Sequence, residues 1–311
     1  MSDNLGMGPI LVIKHGALGD FILSTGPFKT IRMHHTEQKI VLLTTLDFAN
    51  LGKMCGWFDS ILIDSRPKPW NISGLIKLRS NLLKDNYSRV YDLQTSKRSS
   101  SYFSLFKNPK PEWSGIVRAA SHPHINPNRD KMHTIERQEE QLKLVGITHV
   151  FAPDISWLEP LRKKFELPSK FFLLVSGGSV HRKEKRWPPE KYAEFSNILL
   201  GEGITPVLIG SQSEYNITKL ISSACPDALN LCGKTEIADI ASLARNAIGA
   251  VGNDTGPMHI IASSGCPSLV LFSKDSDPSI TLPRGPKVKF LKEDNLKFLE
   301  VCKVRREILL R

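Results

Sequence analysis

Ile10-Leu11-Val12-Ile13-Lys14-His15-Gly16-Ala17-Leu18-Gly19-Asp20 runs from an apolar burst through two glycines into an amphipathic segment. That pattern predicts a buried strand, a glycine turn and a helix start. Outward from it, short apolar runs keep alternating with segments of helical period. In the first half, strands are expected at 10–14, 39–44, 60–64 and 89–93. Helices are expected between and after them at 20–34, 46–55, 72–84 and 134–144, with Gly146 closing the last. Pro153, Pro160 and Pro168 mark 150–170 as a linker. A second series follows, with strands at 171–175, 205–209, 229–232, 248–252, 268–272 and 287–291. Its helices are expected at 190–200, 214–224, 237–245 and 257–264, and a final one at 295–310. Such alternation implies parallel sheets with helices on both faces: an α/β fold of two doubly wound, Rossmann-like domains. The domains are expected at 1–155 and 156–311, with the final helix able to return to the first.

A chain of 311 residues exceeds one ordinary hydrophobic core, which agrees with two domains. Apolar residues make up 41% and charged residues 23%, a globular composition that argues against disorder. No apolar run approaches the ~20 residues that cross a bilayer. The first residues, MSDNLGMGPILVIKHG, lack the basic and apolar regions of a secretion signal, so cytoplasmic residence is expected. Cys55, Cys225, Cys232, Cys266 and Cys302 are scattered without a C-x-x-C pair and read as reduced, mostly buried thiols. The nine histidines have no metal-binding spacing. A net charge of +11 attracts a polyanion: nucleic acid, an acidic membrane surface or a phosphorylated substrate.

Three strand-to-helix turns could carry chemistry. In Lys14 to Asp20, backbone amides and a helix dipole would favour an anion, although G-x-G-x-x-G is absent. Asp20 is either an N-cap or a carboxylate held out as a general base. Ser176-Gly177-Gly178-Ser179 is followed by a strongly charged loop with Lys185-Arg186-Trp187-Pro188. Small residues there would let a ligand approach the backbone, with Lys185 and Arg186 meeting phosphate; a solvated basic loop is the other reading. The third turn, Gly252 to His259, places Thr255, the amides of Gly256 and Met258, and His259 where a diphosphate could sit, with Asp254 ordering the turn. Glu214 is either a first-turn acid or a carboxylate for ribose hydroxyls. Asp275-Ser276-Asp277 has the D-x-D spacing of metal-dependent transferases, but Pro278 makes a plain turn the better reading.

Together, Lys14 to Asp20 with Pro27, Lys185 to Pro188, and Asp254-Thr255-Gly256-Pro257-Met258-His259 resemble the ADP-heptose:lipopolysaccharide heptosyltransferases, glycosyltransferase family 9. Weaker echoes are Tyr91-Asp92-Leu93-Gln94 with Arg98-Ser99, and Asp277-Pro278. The resemblance spans about residues 9–290 and implies the GT-B fold, with an acceptor-binding N-terminal domain and a nucleotide-sugar-binding C-terminal domain facing a central cleft. It implies an inverting transferase, with no cofactor and no metal, moving a heptose or related sugar from an ADP-sugar to a phosphorylated lipopolysaccharide core. Asp20 would be the catalytic base. Lys185, Glu214, Asp254, Thr255, Gly256, Pro257, Met258, His259 and Ser179 would bind the donor, and Lys14, His15, Gly19 and Arg98 the acceptor. Peripheral association with the inner face of the cytoplasmic membrane would suit such an acceptor. A nicotinamide-dependent oxidoreductase would instead need an acid closing the second strand, where Thr44-Thr45 stands. A basic nucleic-acid-binding module would need clustered cations and aromatics, whereas the cations are dispersed and 8% of residues are aromatic.

Overall fold

The computed structural model describes residues 8–160, 164–178 and 186–311. The chain divides into two compact units, Met1–Asp154 and Ile155–Arg311. Each holds one six-stranded, wholly parallel sheet. In the first unit the strands are β1 (Ile10–Ile13), β2 (Ile40–Thr44), β3 (Ser60–Ile63), β4 (Arg89–Asp92), β5 (Glu112–Gly115) and β6 (His122–Pro123). They lie in the order β3-β2-β1-β4-β5-β6. The second unit has β7 (Phe171–Val175), β8 (Thr205–Leu208), β9 (Leu229–Asn230), β10 (Gly249–Asn253), β11 (Ser268–Phe272) and β12 (Val288–Lys292), ordered β12-β11-β10-β7-β8-β9. In both, the first strand of the unit lies beside the fourth. That reversal of strand order is where doubly wound sheets bind ligands, at the carboxyl ends of the strands.

The central strands are apolar on both faces because both are covered: every residue of β1, β2, β7, β10 and β11 is buried. Ten of the twelve strands fall where the apolar runs place them. The exceptions are β5, whose Glu-Trp-Ser-Gly has no apolar run, and the two-residue β6. β6 is the edge strand, where little apolar burial is required, whereas β5 is interior and is buried through Trp113, Ser114 and Gly115, of which only the tryptophan is a large apolar residue. The helix expected at 20–34 is two, α1 (Leu18–Leu23) and α2 (Thr25–His34), meeting at Ser24. Further helices of the first unit are α3 (Leu46–Met54), α4 (Ile72–Leu82), α5 (Lys97–Ser101) and α6 (Thr134–Lys143). Gly146, with φ +84, follows the last of them.

Within the linker, hydrogen bonds decide where one unit stops. Phe151 N donates to Thr30 Oγ1 at 3.0 Å, Asp154 N to Thr25 Oγ1 at 3.0 Å, and Lys29 pairs with Asp154 at 2.7 Å. A Cβ at Gly26 would lie 2.0 Å from the Phe151 carbonyl, so this crossing of α2 needs glycine. One residue later the chain belongs to the other core: Arg245 donates to the carbonyls of Ile155 at 2.9 Å and Leu158 at 3.1 Å.

The second unit carries α7 (Pro189–Gly201), α8 (Tyr215–Ala224), α9 (Ile237–Asn246), α10 (Gly256–Ser263), α11 (Pro278–Thr281) and α12 (Val301–Glu307). The final helix is shorter than the expected 295–310. It buries Val301 and Val304 in the core of the second unit with Trp187, Phe195 and Leu199. All five cysteines are free thiols, four buried and Cys302 exposed.

Candidate active site

The turns after β7 and β10 meet through one side chain. Asn253, last residue of β10, is buried and uses its amide completely. Its Nδ2 donates to the carbonyls of Ser176 at 3.0 Å and Gly177 at 2.9 Å. Its Oδ1 accepts from Trp187 N at 3.0 Å and the Tyr192 hydroxyl at 3.2 Å. Two loops distant in sequence are thus held at fixed separation across the reversal of strand order. Against this clamp, Gly178 donates its amide to Glu214 Oε1 at 3.1 Å, and its carbonyl accepts from Arg186 Nη2 at 2.6 Å. A Cβ on Gly177 would stand 2.0 Å from Glu214 Oε1, so the carboxylate lies directly against the glycine backbone.

Past Asn253, Asp254 turns the chain and accepts from Ser276 Oγ at 2.7 Å. Thr255 is the N-cap of α10 but makes no side-chain cap bond. Its hydroxyl is buried and has no hydrogen-bond partner among the described residues. A buried unpaired hydroxyl costs about 1–3 kcal/mol, so an orphan beside the positive end of a helix marks where an acceptor-rich ligand would repay it. Gly256 opens α10, followed by Pro257, whose missing N–H costs nothing in a first turn. His259 is buried one position beyond Met258.

One sequence expectation changes here. The Met258 amide, expected to face a diphosphate, donates to Thr255 O at 3.1 Å, and its side chain is buried under Gly252. Glu214 opens α8 as expected, as its N-cap at the end of a 3₁₀ turn (Gln212–Glu214), and turns its carboxylate back: Oε2 accepts from Ser211 N at 2.6 Å and Ser211 Oγ at 2.9 Å. Oε1, with a single donor, keeps capacity for a hydroxyl. Lys185 and Ser179 lie outside the described residues. In the D-x-D stretch, Asp277 Oδ1 accepts from Ser279 N and Oγ at 2.9 and 2.8 Å, capping α11.

In the first unit, the turns after β1 and β4 are joined in the corresponding place. His15 N donates to Gln94 Oε1 at 2.8 Å, and Lys14 Nζ to Leu93 O at 3.3 Å. Burial lowers the affinity of Lys14 for its proton, opposed by the charges of Asp20 and Asp92 and reinforced by Arg137 and Arg129. Gly16 sits at φ +113 with Phe48 2.2 Å from where a Cβ would be. The His15 ring pairs with Asp64 through Nε2 at 3.0 Å. Asp64 also accepts from the Tyr102 hydroxyl at 2.5 Å and Arg66 N at 2.7 Å. Burial would raise the Asp64 pKa, but the hydrogen bonds from His15, Tyr102 and Arg66 outweigh it and hold the carboxyl below its ordinary range. A cavity of about 720 Å³ opens over these turns, lined among others by His15, Gly16, Phe48, Ile63, Arg66 and Gln94.

The N-cap of α1 is Ala17, so Asp20 is not a cap; it stands in the first turn, partly exposed, one residue after the buried Gly19. Its carboxylate makes no hydrogen bond or ion pair among the described residues. Arg98, on α5, donates to Pro67 O at 3.0 Å and does not line the cavity. Asn253, Gln94 and the His15–Asp64–Tyr102 chain are the features that residue-by-residue reading passes over. The one local signal was an asparagine ending an otherwise apolar strand.

Two parallel six-stranded α/β units, each with a polar turn at its reversal of strand order, define the class of doubled nucleotide-binding folds. Within it, the chain belongs to glycosyltransferase family 9 (heptosyltransferase), whose family pattern matches residues 75–306. It is similar to lipooligosaccharide heptosyltransferase 2 of Haemophilus influenzae, 31% identical over 135 residues, covering 42% of this chain and 39% of that protein. That match therefore spans about two fifths of the relative's length. Among solved structures, E. coli ADP-heptose LPS heptosyltransferase II matches with TM-score 0.73 and 19% identity, over 96% of this chain and 97% of the other. E. coli heptosyltransferase WaaC with ADP matches with TM-score 0.74 and 16% identity, over 96% and 98%. At these identities the structural likeness is one of fold.

Proposed function

We propose that this chain is an inverting, metal-independent transferase that moves a heptose, or a related sugar, from an ADP-linked donor to a phosphorylated lipopolysaccharide core acceptor. The observation that carries this reading is the Thr255 hydroxyl at the start of α10, buried without a partner among the described residues, beside the glycine backbone that Asn253 and Glu214 hold in place. A diphosphate there would accept from Thr255 and the first free amides of α10, with Lys185, His259 and Ser179 adding donors. As the bond to the departing diphosphate lengthens, negative charge grows on the phosphate oxygens, and fixed donors stabilise it most at that point. Glu214 Oε1 would take a ribose hydroxyl, and Asp254 would lie near the donor sugar.

On the first unit, Asp20 would accept the proton of the acceptor hydroxyl as that oxygen attacks the anomeric carbon, a contribution of about 10²–10⁴-fold. A carboxylate with no internal partner suits that role. Lys14, His15, Gly19 and Arg98 would serve the acceptor, Lys14 and Gly19 by shaping the turn from beneath, since both are buried. The charge of +11 suits an acceptor rich in phosphate at the cytoplasmic face of a membrane.

Purified protein incubated with ADP-heptose and heptose-free core acceptor should release ADP and form a product of inverted anomeric configuration, with or without EDTA. Absence of binding and turnover with every nucleoside diphosphate sugar tried would end this reading.

A further inference from the structure

The segment between β3 and the middle of α4 is unusual in two respects. Residues 65–84 contain Arg66, Lys68, Lys77, Arg79 and Lys84 and no acidic residue. Within the same segment, large apolar side chains stand in solvent: Trp70 is 74% exposed, Ile72 69% and Ile76 63%. Ile72 and Ile76 are one turn apart on α4 and share a flank of its apolar arc, while Leu78 and Leu82 on the other flank are buried, with Leu75 between. The apolar arc is therefore wider than the part the core covers. Isolated exposed apolar residues are ordinary, but an aromatic and two branched aliphatics together, flanked by cations, are not.

The segment is also ordered. Asn71 caps α4, accepting from Gly74 N at 2.9 Å, and its own amide donates to Lys68 O at 2.8 Å. Arg98 holds the Pro67 carbonyl at 3.0 Å, and Lys68 Nζ lies 5.2 Å above the Trp70 ring. The local hydrogen bonds thus present the indole outward. Immediately before it, Ile63 and Arg66 line the 720 Å³ cavity of the first unit, as does Leu46, itself 75% exposed.

We propose that Arg66 to Arg79 is a docking surface for an anionic lipid bilayer. Trp70, Ile72 and Ile76 enter the boundary between headgroups and acyl chains, while Arg66, Lys68 and Lys77 meet the phosphates. Trp and Ile on one face with Lys and Arg beside them is the composition of elements that lie in a membrane interface. Excess positive charge selects anionic over zwitterionic lipid. No helix among the described residues is long and apolar enough to span a bilayer, so the contact is peripheral. Docking at this rim places the mouth of the cavity at the lipid surface, where a lipid-linked acceptor sugar would reach it. That last consequence rests on the transferase reading; the docking itself does not.

The test is flotation of the full chain, without any sugar nucleotide, on phosphatidylcholine vesicles with or without about 30% phosphatidylglycerol. Binding to the anionic vesicles is expected, with little to the neutral ones. It should weaken at least about tenfold in Trp70→Ala/Ile72→Ser/Ile76→Ser and in Lys68→Glu/Lys77→Glu. Trp70 should also give a blue-shifted emission on anionic vesicles that Trp70→Ala lacks. Because these side chains are exposed, circular dichroism should show both variants folded. Unchanged flotation in both variants overturns the proposal, as does a concentration-dependent dimer that the triple variant abolishes while vesicle binding persists. Failure of ADP-heptose turnover would leave flotation untouched, so the two readings fail separately.

Discussion

The turn after β1 and the turn after β10 both flank the reversal of strand order in their sheets, one after a first strand and the other after a fourth, and they leave opposite groups without a partner among the described residues. After β10, Asn253 makes four hydrogen bonds, and what remains without a described partner is a donor, the Thr255 hydroxyl at the head of a helix. After β1, the cation Lys14 is buried against Leu93 O and His15 is held by Asp64 and Gln94. There the group without a described partner is an acceptor, the Asp20 carboxylate. On the proposed reading, the turn after β10 would receive negative charge and the turn after β1 a proton, and the surrounding hydrogen bonds would set that difference.

The largest test of this contrast is Asp20→Ala. It should cut turnover by about 10²–10⁴-fold while donor binding by calorimetry and the circular dichroism spectrum stay unchanged. Full activity in the folded variant would remove the proton-accepting role. Next, Asn253→Ala removes the bonds that two buried carbonyls and the Trp187 amide make to its side chain, while the Tyr192 hydroxyl keeps Val175 O. Urea unfolding should register a loss of about 3 kcal/mol. A loss below about 1 kcal/mol would mean the two turns hold themselves apart without the clamp.

Thr255→Val separates ligand from scaffold more finely. Removing a hydroxyl that has no internal partner should leave stability level or slightly higher, yet weaken ADP binding by about 10- to 100-fold, the worth of one hydrogen bond to a charged group. Unaltered affinity would place the diphosphate elsewhere.

The smallest effect is a pH dependence inside the first unit. Burial pushes the His35 pKa down to about 4, with its ring between Gln38 and Tyr91. The native state therefore binds fewer protons than the unfolded chain between pH 4 and 6.5, and this group loses stability on acidification through that window. Burial raises Asp92 to about 6, so the native state there binds more protons, and its contribution grows as pH falls from 6 to 4. The two slopes oppose each other. In His35→Gln that opposing slope is removed, so the urea midpoint should rise relative to wild type as pH falls from 6 to 4. An unchanged difference across that range would refute the assignment.

Local pattern and pairing contributed differently to these turns. Strand positions were legible because burial on both faces writes continuous apolar runs such as Ile40–Thr44 and Phe171–Val175 into the chain. The glycine-rich turns and the Gly252 to His259 octet were legible for the same local reason. The boundary at residue 154 was legible only as a proline-marked region, since Thr25, Thr30 and Arg245 decide it from elsewhere. The internal bond of the Met258 amide was not legible, because a group's chemistry is visible in sequence but its nearest competing partner is not.

By itself, the order of residues determined the alternation of strand and helix, the doubling of the α/β unit and the three turns able to meet a ligand. Periodicity acts over a few residues, so it needs no tertiary partner. Tertiary structure alone decided that Asn253 reaches Ser176, 77 positions away, and that Asp64 holds His15 while the Asp20 carboxylate makes no hydrogen bond or ion pair among the described residues. Hydrogen bonds saturate according to which strands lie side by side, and that adjacency is a property of the folded sheet.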